Sequence, residues 1–401
     1  MSRPSPTMYA TAARGTEEIV AAELGRLGFT GVKRSHGGVA FAASDLAAAM
    51  RACLHLRTAL RVLWPLASFP AADADAVYEG ACAVPWEDWL SARSTFMVSA
   101  TTRAAPPLAH APILAMRIKD AVADRLRDRL GARPDVDKED PDVRLYAHVE
   151  AAARSRGGIP AVTVGLDVSG DSLHARGYRV AQTRAPLRES MAAALVHMTG
   201  WDAASGRPFV DPMCGSGTIA IEAALAACHV APGRAARTQR FGFERWPSFG
   251  DAERAAWRRL CEEADAAVLP RSPAPIVASD FDADALAAAQ KNASAAAAPV
   301  LRSIEFRRAD ARELAPFDPP AAIVCNPPYG ERIGGGSGLE GLWRAVGQRW
   351  KLLHGHTTFL LVPEGPAGTW LGMRPTWSKQ LMNGPLKVAF NRYELGRTPR
   401  R

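Results

Sequence analysis

Arg207-Pro-Phe-Val-Asp211, Pro212-Met-Cys-Gly-Ser-Gly217 and Thr218-Ile-Ala-Ile-Glu-Ala-Ala-Leu-Ala-Ala-Cys228 follow one another without a break. The first is a short apolar run ending in an acid. The second holds two glycines, which open backbone shapes closed to residues with a Cβ. The third is rich in helix formers and begins with Thr218, a good helix cap. Strand, glycine turn and helix form the first unit of a doubly wound α/β domain. Its ligand is expected at the carboxyl ends of the strands, against the helix N-terminus. The spacing Gly215-x-Gly217-x-x-Ala220 also fits a dinucleotide fingerprint, so an NAD site is a rival reading. No P-loop lysine follows the glycines, which argues against a nucleoside triphosphate held that way.

Three more apolar runs end in polar residues downstream. Ala274 to Asp280 reads as a strand whose terminal carboxylate can accept the two hydroxyls of a ribose. A helix cap is the other reading for this acidic cluster, with Asp282 or Asp284 in that role. Ser303 to Phe306 reads as a strand leading to Asp310, placed to accept from an adenine amine or simply to form a turn. The fourth strand, Ala321 to Cys325, carries Asn326-Pro327-Pro328-Tyr329. An Asn side-chain oxygen and a neighbouring carbonyl can accept two N–H bonds, the prolines stiffen the backbone, and the Tyr offers a stacking face. That suits a planar amino group such as the exocyclic amine of a nucleobase; a Pro-rich turn is the plainer alternative.

The four strand ends together resemble class I S-adenosylmethionine-dependent methyltransferases. Asn326-Pro-Pro-Tyr-Gly-Glu-Arg332 and Asp211-Pro-Met-Cys-Gly-Ser-Gly-Thr218 resemble the guanine-N2 methyltransferases of large-subunit ribosomal RNA. The resemblance runs from about residue 8 to 396. It includes Thr11 to Glu18, Arg133-Pro134 with Val136-Asp137 and Pro141 to Val143 of a THUMP RNA-binding domain, Leu173 to Arg179, Ala185 to Glu189, and Asn383 to Leu386. It implies a Rossmann-like catalytic domain with a mixed seven-stranded sheet, preceded by an α+β ferredoxin-like and THUMP region. The implied cofactor is S-adenosyl-L-methionine, held by Asp211, Pro212, Met213, Cys214, Gly215, Gly217, Thr218, Asp280, Phe281, Asp310, Ala311 and Asn326. Asn326, Pro327, Pro328 and Tyr329 are the implied catalytic residues. The implied substrate is a guanine N2 in 23S rRNA, as naked RNA or in a pre-50S particle. Asn-Pro-Pro-Tyr also serves enzymes acting on adenine N6 and on glutamine. A transfer-RNA guanine-N2 enzyme of similar architecture and a non-catalytic ribosome-assembly protein therefore stand as alternatives. Some relatives carry a second methyltransferase domain; this chain ends after one, so that second activity is not implied.

On this reading residues 1–46 form the ferredoxin-like segment, 47–159 the THUMP domain, 160–184 a linker and 185–396 the catalytic domain. About 70 residues separate Asp211 from Asp280, the excess forming an insertion over 229–272. Its Arg240-Phe-Gly-Phe-Glu-Arg-Trp246 resembles a family insertion near the substrate mouth; a surface excursion is the other reading. Helices are expected over Thr16 to Leu27, where apolar positions share one face, and over Ile113 to Leu130. The latter carries Arg117, Lys119, Arg125, Arg127 and Arg129, which read either as a solvated face with interleaved acids or as an RNA-facing surface.

Composition agrees. A length of 401 residues fits two or three domains. A net charge of +8 favours a polyanionic partner, although 49 basic against 41 acidic residues is a mild excess. Six cysteines without a C-x-x-C pair suggest a reducing compartment and no structural zinc. No apolar run of membrane-spanning length and no apolar signal core occur, so a cytoplasmic protein that needs no metal is expected.

Overall fold

The computed structural model describes residues 7–43, 45–104, 106–151, 158–181, 187–235, 240–328, 336–365 and 367–396. The N-terminal region comprises β1 (Thr7–Ala12), α1 (Glu17–Arg26), β2 (Lys33–Ser35), β3 (Gly38–Ala42), α2 (Leu46–His55), β4 (Ala59–Pro70), α3 (Ala74–Cys82), β5 (Thr95–Thr102), α4 (Ala111–Leu130), β6 (Asp135–Val136), β7 (Val143–Glu150) and β8 (Ala161–Asp167). Among the described residues its strands form one sheet of eight, in the order β2-β3-β1-β4-β8-β7-β5-β6. Alternation along β7 shows why: Val143, Leu145, Ala147 and Val149 enter the core, while Arg144, His148 and Glu150 face the other way. Antiparallel pairing of β4 with β8 joins the strands β2-β3-β1-β4 to β8-β7-β5-β6 in one sheet. Ala161–Asp167 falls inside the segment expected as a linker, 160–184. Its apolar alternation reads as a strand, and it is one, paired on both edges with Val162, Val164 and Leu166 fully buried, so this part of the segment belongs to the N-terminal sheet.

Several basic residues of α4 are paired within the chain. Arg125 reaches both carboxylate oxygens of Glu87 at 2.7 and 2.8 Å and the Cys82 carbonyl at 2.7 Å; Arg117 pairs with Asp75 at the start of α3. Arg127 pairs with Asp124 at 3.0 Å. The Arg125 and Arg117 pairs tie α4 to the α3 side of the sheet while the Arg127 pair stays within α4, so part of the charge expected to face either solvent or RNA is committed within the chain.

The catalytic region contains α5 (Glu189–Met198), β9 (Phe209–Asp211), α6 (Thr218–Ala227), α7 (Asp251–Ala266), β10 (Ile276–Asp280), α8 (Ala283–Ala296), α9 (Ala298–Ser303), β11 (Ile304–Arg308) and β12 (Ala322–Cys325). Then follow α10 (Gly336–Trp350), β13 (Thr357–Pro363), α11 (Ala367–Trp370), β14 (Trp377–Asn383) and β15 (Leu386–Glu394). Its seven-stranded sheet runs β11-β10-β9-β12-β13-β15-β14, with β15 antiparallel to both neighbours and the other pairs parallel. The strand order reverses between β9 and β12, so a crevice opens beyond their carboxyl ends.

The two regions are bolted together at β14, at α6 and through the insertion. Gly15 (φ +93°) lies so close to β14 that a Cβ there would sit 2.7 Å from the Gln380 carbonyl oxygen, and Lys379 reaches Glu18 at 2.9 Å. The Arg57 guanidinium donates to the carbonyls of Val230 (2.7 Å) and Leu225 (3.3 Å) at the end of α6. Arg176-Gly-Tyr-Arg179, expected as a linker, is a buried anchor. Arg176 and Tyr178 are each 1 % exposed and converge on Glu222 of α6, at 2.9 and 2.8 Å.

The third bolt is the insertion. Phe241, Phe243, Trp246 and Phe249 join the core of the N-terminal region rather than forming a surface excursion. Trp246 packs edge-on against Trp89, and Phe241 and Phe243 against Trp257 of α7. Gly170 and Gly242 meet backbone to backbone, a contact with no room for a Cβ on either side. Arg240, Arg245 and Arg254 line an open cleft here with Asp142.

Candidate active site

The glycine turn is held from several sides. Cys214 N–H donates to the Ser279 carbonyl at 2.9 Å, Gly215 N–H to Asp280 Oδ2 at 2.8 Å, and Gly217 N–H to the Cys214 carbonyl at 2.8 Å. Gly215 and Gly217 have φ of +53° and +81°, in the left-handed region. A Cβ on Gly217 would also lie 2.9 Å from that of Ala289 on α8. Gly217, not Thr218, occupies the cap position of α6, and no side chain caps that end. Only a residue free to take a left-handed φ fits there, so the first backbone N–H groups of α6 are left for a ligand.

Among the described residues, two buried oxygens at the crevice have no hydrogen-bond partner: Asp211 Oδ1 at the end of β9 and Asn326 Oδ1 just beyond β12. Asp211 is 1 % exposed. Burial pushes its carboxyl well above the usual carboxylate range and the Asp280 charge adds to the rise, against one backbone N–H bond from Met213. An uncompensated buried acceptor costs about 1–3 kcal/mol. A cationic group placed at Asp211 and a neutral N–H donor placed at Asn326 would each remove such a cost.

The remaining expected residues occupy neighbouring strand ends. Asp280 accepts from Gly215 and, through Oδ1, from Asp282 N–H at 3.0 Å, so it shapes the turn as well as facing the crevice. Asp282 caps α8 by accepting from Asp284 N–H at 2.9 Å. Phe281 is 67 % exposed directly after β10, an apolar ring ready to cover a flat ligand. Asp310 accepts from Arg312 N–H at 2.8 Å and pairs with the Arg312 guanidinium at 2.5 Å, which holds its carboxyl below its ordinary value. Ala311 is buried and its carbonyl accepts from Trp350 Nε1 at 2.9 Å. Pro212 and Pro327 are buried, Met213 and Pro328 half-buried. Cys214 and Cys325 are neutral thiols, pushed far up by burial. Tyr329, Glu331 and Arg332 lie outside the described residues. Among the described residues no group of His, Cys, Asp and Glu is arranged to hold a metal ion.

Sequence reading missed Asn292 of α8 and the buried Arg176–Glu222 pair. A lone Asn in a run of alanines was the one available signal for the first. For the second there was none, because its partners are 46 positions apart.

A glycine turn after the central first strand, in a sheet whose last two strands run antiparallel, defines a class I methyltransferase domain; here it stands behind a THUMP-type α+β region. Residues 176–389 match the RMKL-like methyltransferase domain, 71–153 the THUMP domain and 7–63 the RlmL ferredoxin-like domain. The chain belongs to the RMKL-like methyltransferase family. It is 40% identical over 350 residues to the ribosomal RNA large subunit methyltransferase K/L of Magnetococcus marinus, covering 84% of this chain and 46% of that protein. It is 34% identical over 391 residues to a putative RNA methyltransferase of Synechocystis, covering 96% of each. The chain spans about half the length of the K/L relatives it matches. The crystal structure of SMU.472, a putative methyltransferase complexed with SAH, is similar at a TM-score of 0.83 and 27% identity, covering 98% of this chain and 99% of that one. Among the described residues no helix is long and apolar enough to cross a membrane.

Proposed function

We propose that this chain is an S-adenosylmethionine-dependent RNA methyltransferase that modifies the exocyclic N2 of a guanine in 23S rRNA, as naked RNA or within a pre-50S particle. The observation that carries the reading is Asn326 Oδ1, a buried acceptor at the reversal of strand order that, like Asp211 Oδ1 on the neighbouring strand, has no partner among the described residues. The family, and the names borne by its ribosomal RNA relatives, support RNA as the substrate.

The donor set suits the cofactor. Asp211 Oδ1 takes its ammonium, Asp280 its ribose hydroxyls and the exposed Phe281 ring a face of its adenine; the uncapped start of α6 takes its carboxylate. Asp310 would take the adenine amine only by giving up part of its pairing with Arg312, whose N–H, Nε and Nη2 occupy both of its oxygens. Pro212, Met213, Cys214, Gly215, Gly217, Thr218 and Ala311 complete the wall. When bound, the cofactor supplies a methyl group already made electrophilic by its sulfonium.

The chain's own work is then orientation. A guanine leaves its stack at a cost of a few kcal/mol. Asn326 Oδ1 and the carbonyl of Pro327 accept the two N2 hydrogens, which turns the nitrogen lone pair toward the methyl donor. Pro327 and Pro328 hold that acceptor pair still. Stacking on Tyr329 contributes about 1–3 kcal/mol. The proton leaves after transfer, because an alkylated ammonium on guanine is strongly acidic, and no separate general base is required.

The test is transfer of tritiated methyl from labelled cofactor to total RNA, DNA and protein, followed by nucleoside digestion. Label in 2-methylguanosine from large-subunit rRNA is expected. Label in 6-methyladenosine, in transfer RNA alone, or in protein would replace this substrate by another, and no transfer at all would favour an assembly role.

A further inference from the structure

Asn292 sits in the middle of α8 with its side chain fully buried. The other buried residues of that helix are alanines at 285, 288, 289, 293 and 296. Asn is a poor helix former, and a buried amide is costly unless bonded. Here it makes three bonds. Its Nδ2 donates to the Ser216 carbonyl at 3.0 Å and to the Ala181 carbonyl at 2.9 Å, while its Oδ1 accepts from Ala181 N–H at 2.9 Å.

Both partners are telling. Ser216 lies between Gly215 and Gly217, the two left-handed residues of the turn. The turn's other bonds run to β10 and within the turn itself, and the Ser216 carbonyl adds one to the α8 side chain of Asn292. One helical turn earlier, Ala289 lets Gly217 approach closely; Asn292 then pins the turn against the helix. Ala181 lies on the strap that leaves the N-terminal region, just after the buried Arg176 and Tyr178. A single amide therefore spans the turn proposed to hold the cofactor and the backbone that joins the RNA-binding region to the catalytic one.

We infer that Asn292 is a positioning residue: it sets the conformation of the glycine turn for the cofactor and ties that turn to the strap at Ala181, so that cofactor binding stiffens the strap. The inference rests on the reading that residues 211–218 hold S-adenosylmethionine.

The experiment uses the full chain with S-adenosylhomocysteine as probe, calorimetry for affinity and hydrogen exchange for the Ala181 amide. In the unmodified protein the probe should slow Ala181 exchange at least tenfold. In Asn292→Ala its Kd should rise at least tenfold, with no slowing at Ala181. Asp282→Ala removes only the cap of the same helix; it should lower Tm with Kd within twofold. An Asn292→Ala protein binding the probe within twofold of normal would overturn the inference, as would an Ala181 amide in the unmodified protein indifferent to bound probe. If Asn292→Ala does not fold, the exchange result on the unmodified protein decides alone. If the unmodified protein binds no probe, the cofactor reading itself fails, and the inference with it; binding with an unresponsive Ala181 removes the inference only.

Discussion

Replacing Asp211 by asparagine should move stability and cofactor affinity in opposite directions. The Asp211 carboxyl is 1 % exposed, has one oxygen without a partner among the described residues, and faces the Asp280 charge. Its folded-state pKa is raised above the unfolded value, so its contribution to stability is fully present below the unfolded pKa and is lost as pH rises through the folded one. Asp211→Asn abolishes that loss. If the relief is about 1 kcal/mol, the catalytic region's Tm rises by about 2–4 °C near neutral pH, and the gain shrinks in acid. The cofactor loses a charge-assisted hydrogen bond worth about 1.5–3 kcal/mol, so its Kd rises about 10- to 150-fold. A cation arriving beside Asp211 favours the ionised form. Binding to the unmodified protein therefore releases a proton in the window between the bound-state and raised free-state pKa values, and affinity climbs with pH there. Titration calorimetry of S-adenosylhomocysteine in two buffers of different ionisation enthalpy reads this directly, with proton release in the unmodified protein and none in Asp211→Asn. A variant that loses stability, or binds as tightly as the parent, would refute the assignment.

Three further outcomes follow from the packing. Arg176→Met strands the Glu222 charge in a site where both side chains are at most 1 % exposed; it should cost about 3–5 kcal/mol in denaturant unfolding, with Arg176→Met/Glu222→Gln recovering much of the loss. Gly217→Ala meets both a +81° φ and the Ala289 Cβ, so Tm should fall by an amount equivalent to about 1–3 kcal/mol, and S-adenosylhomocysteine titration should show binding largely lost. Phe243→Ala empties a fully buried position between the insertion and the N-terminal core; about 3–5 kcal/mol should be lost in urea unfolding, while cofactor affinity, set on another sheet, stays within about threefold of the parent.

The parts of the fold written in local pattern were legible. Arg207 to Asp211, Ala161 to Asp167 and Ala321 to Cys325 each carry their own apolar run and terminator, and the structure forms strands within them. Strands β4 and β14 carried little local signal. The first contains Pro65 and Pro70 and a register shift between Pro65 and Ala67, and the second is a mostly exposed edge strand. Contacts between distant segments were invisible too. Nothing near Phe241 to Phe249 says that these rings enter the core of another region, and nothing near Arg176 names Glu222 as its partner. At the site, the strand ends and their acids could be found by spacing. Which oxygens lack partners, and which are already engaged, as Asp310 is with Arg312, depends on side-chain geometry that no spacing encodes. Thr218 illustrates the difference: helix propensity favours it as the cap, but the turn's left-handed φ gives that position to Gly217.

The central claim is that Asn326 Oδ1 is the acceptor that orients the target amine. Single-turnover methylation of large-subunit rRNA by Asn326→Ala, measured beside its affinity for S-adenosylhomocysteine, tests it most directly. A rate lower by about 100-fold or more, corresponding to at least about 2.7 kcal/mol of lost transition-state stabilisation, with Kd within threefold of the parent, is the predicted result. Near-normal turnover with the cofactor still bound would contradict it.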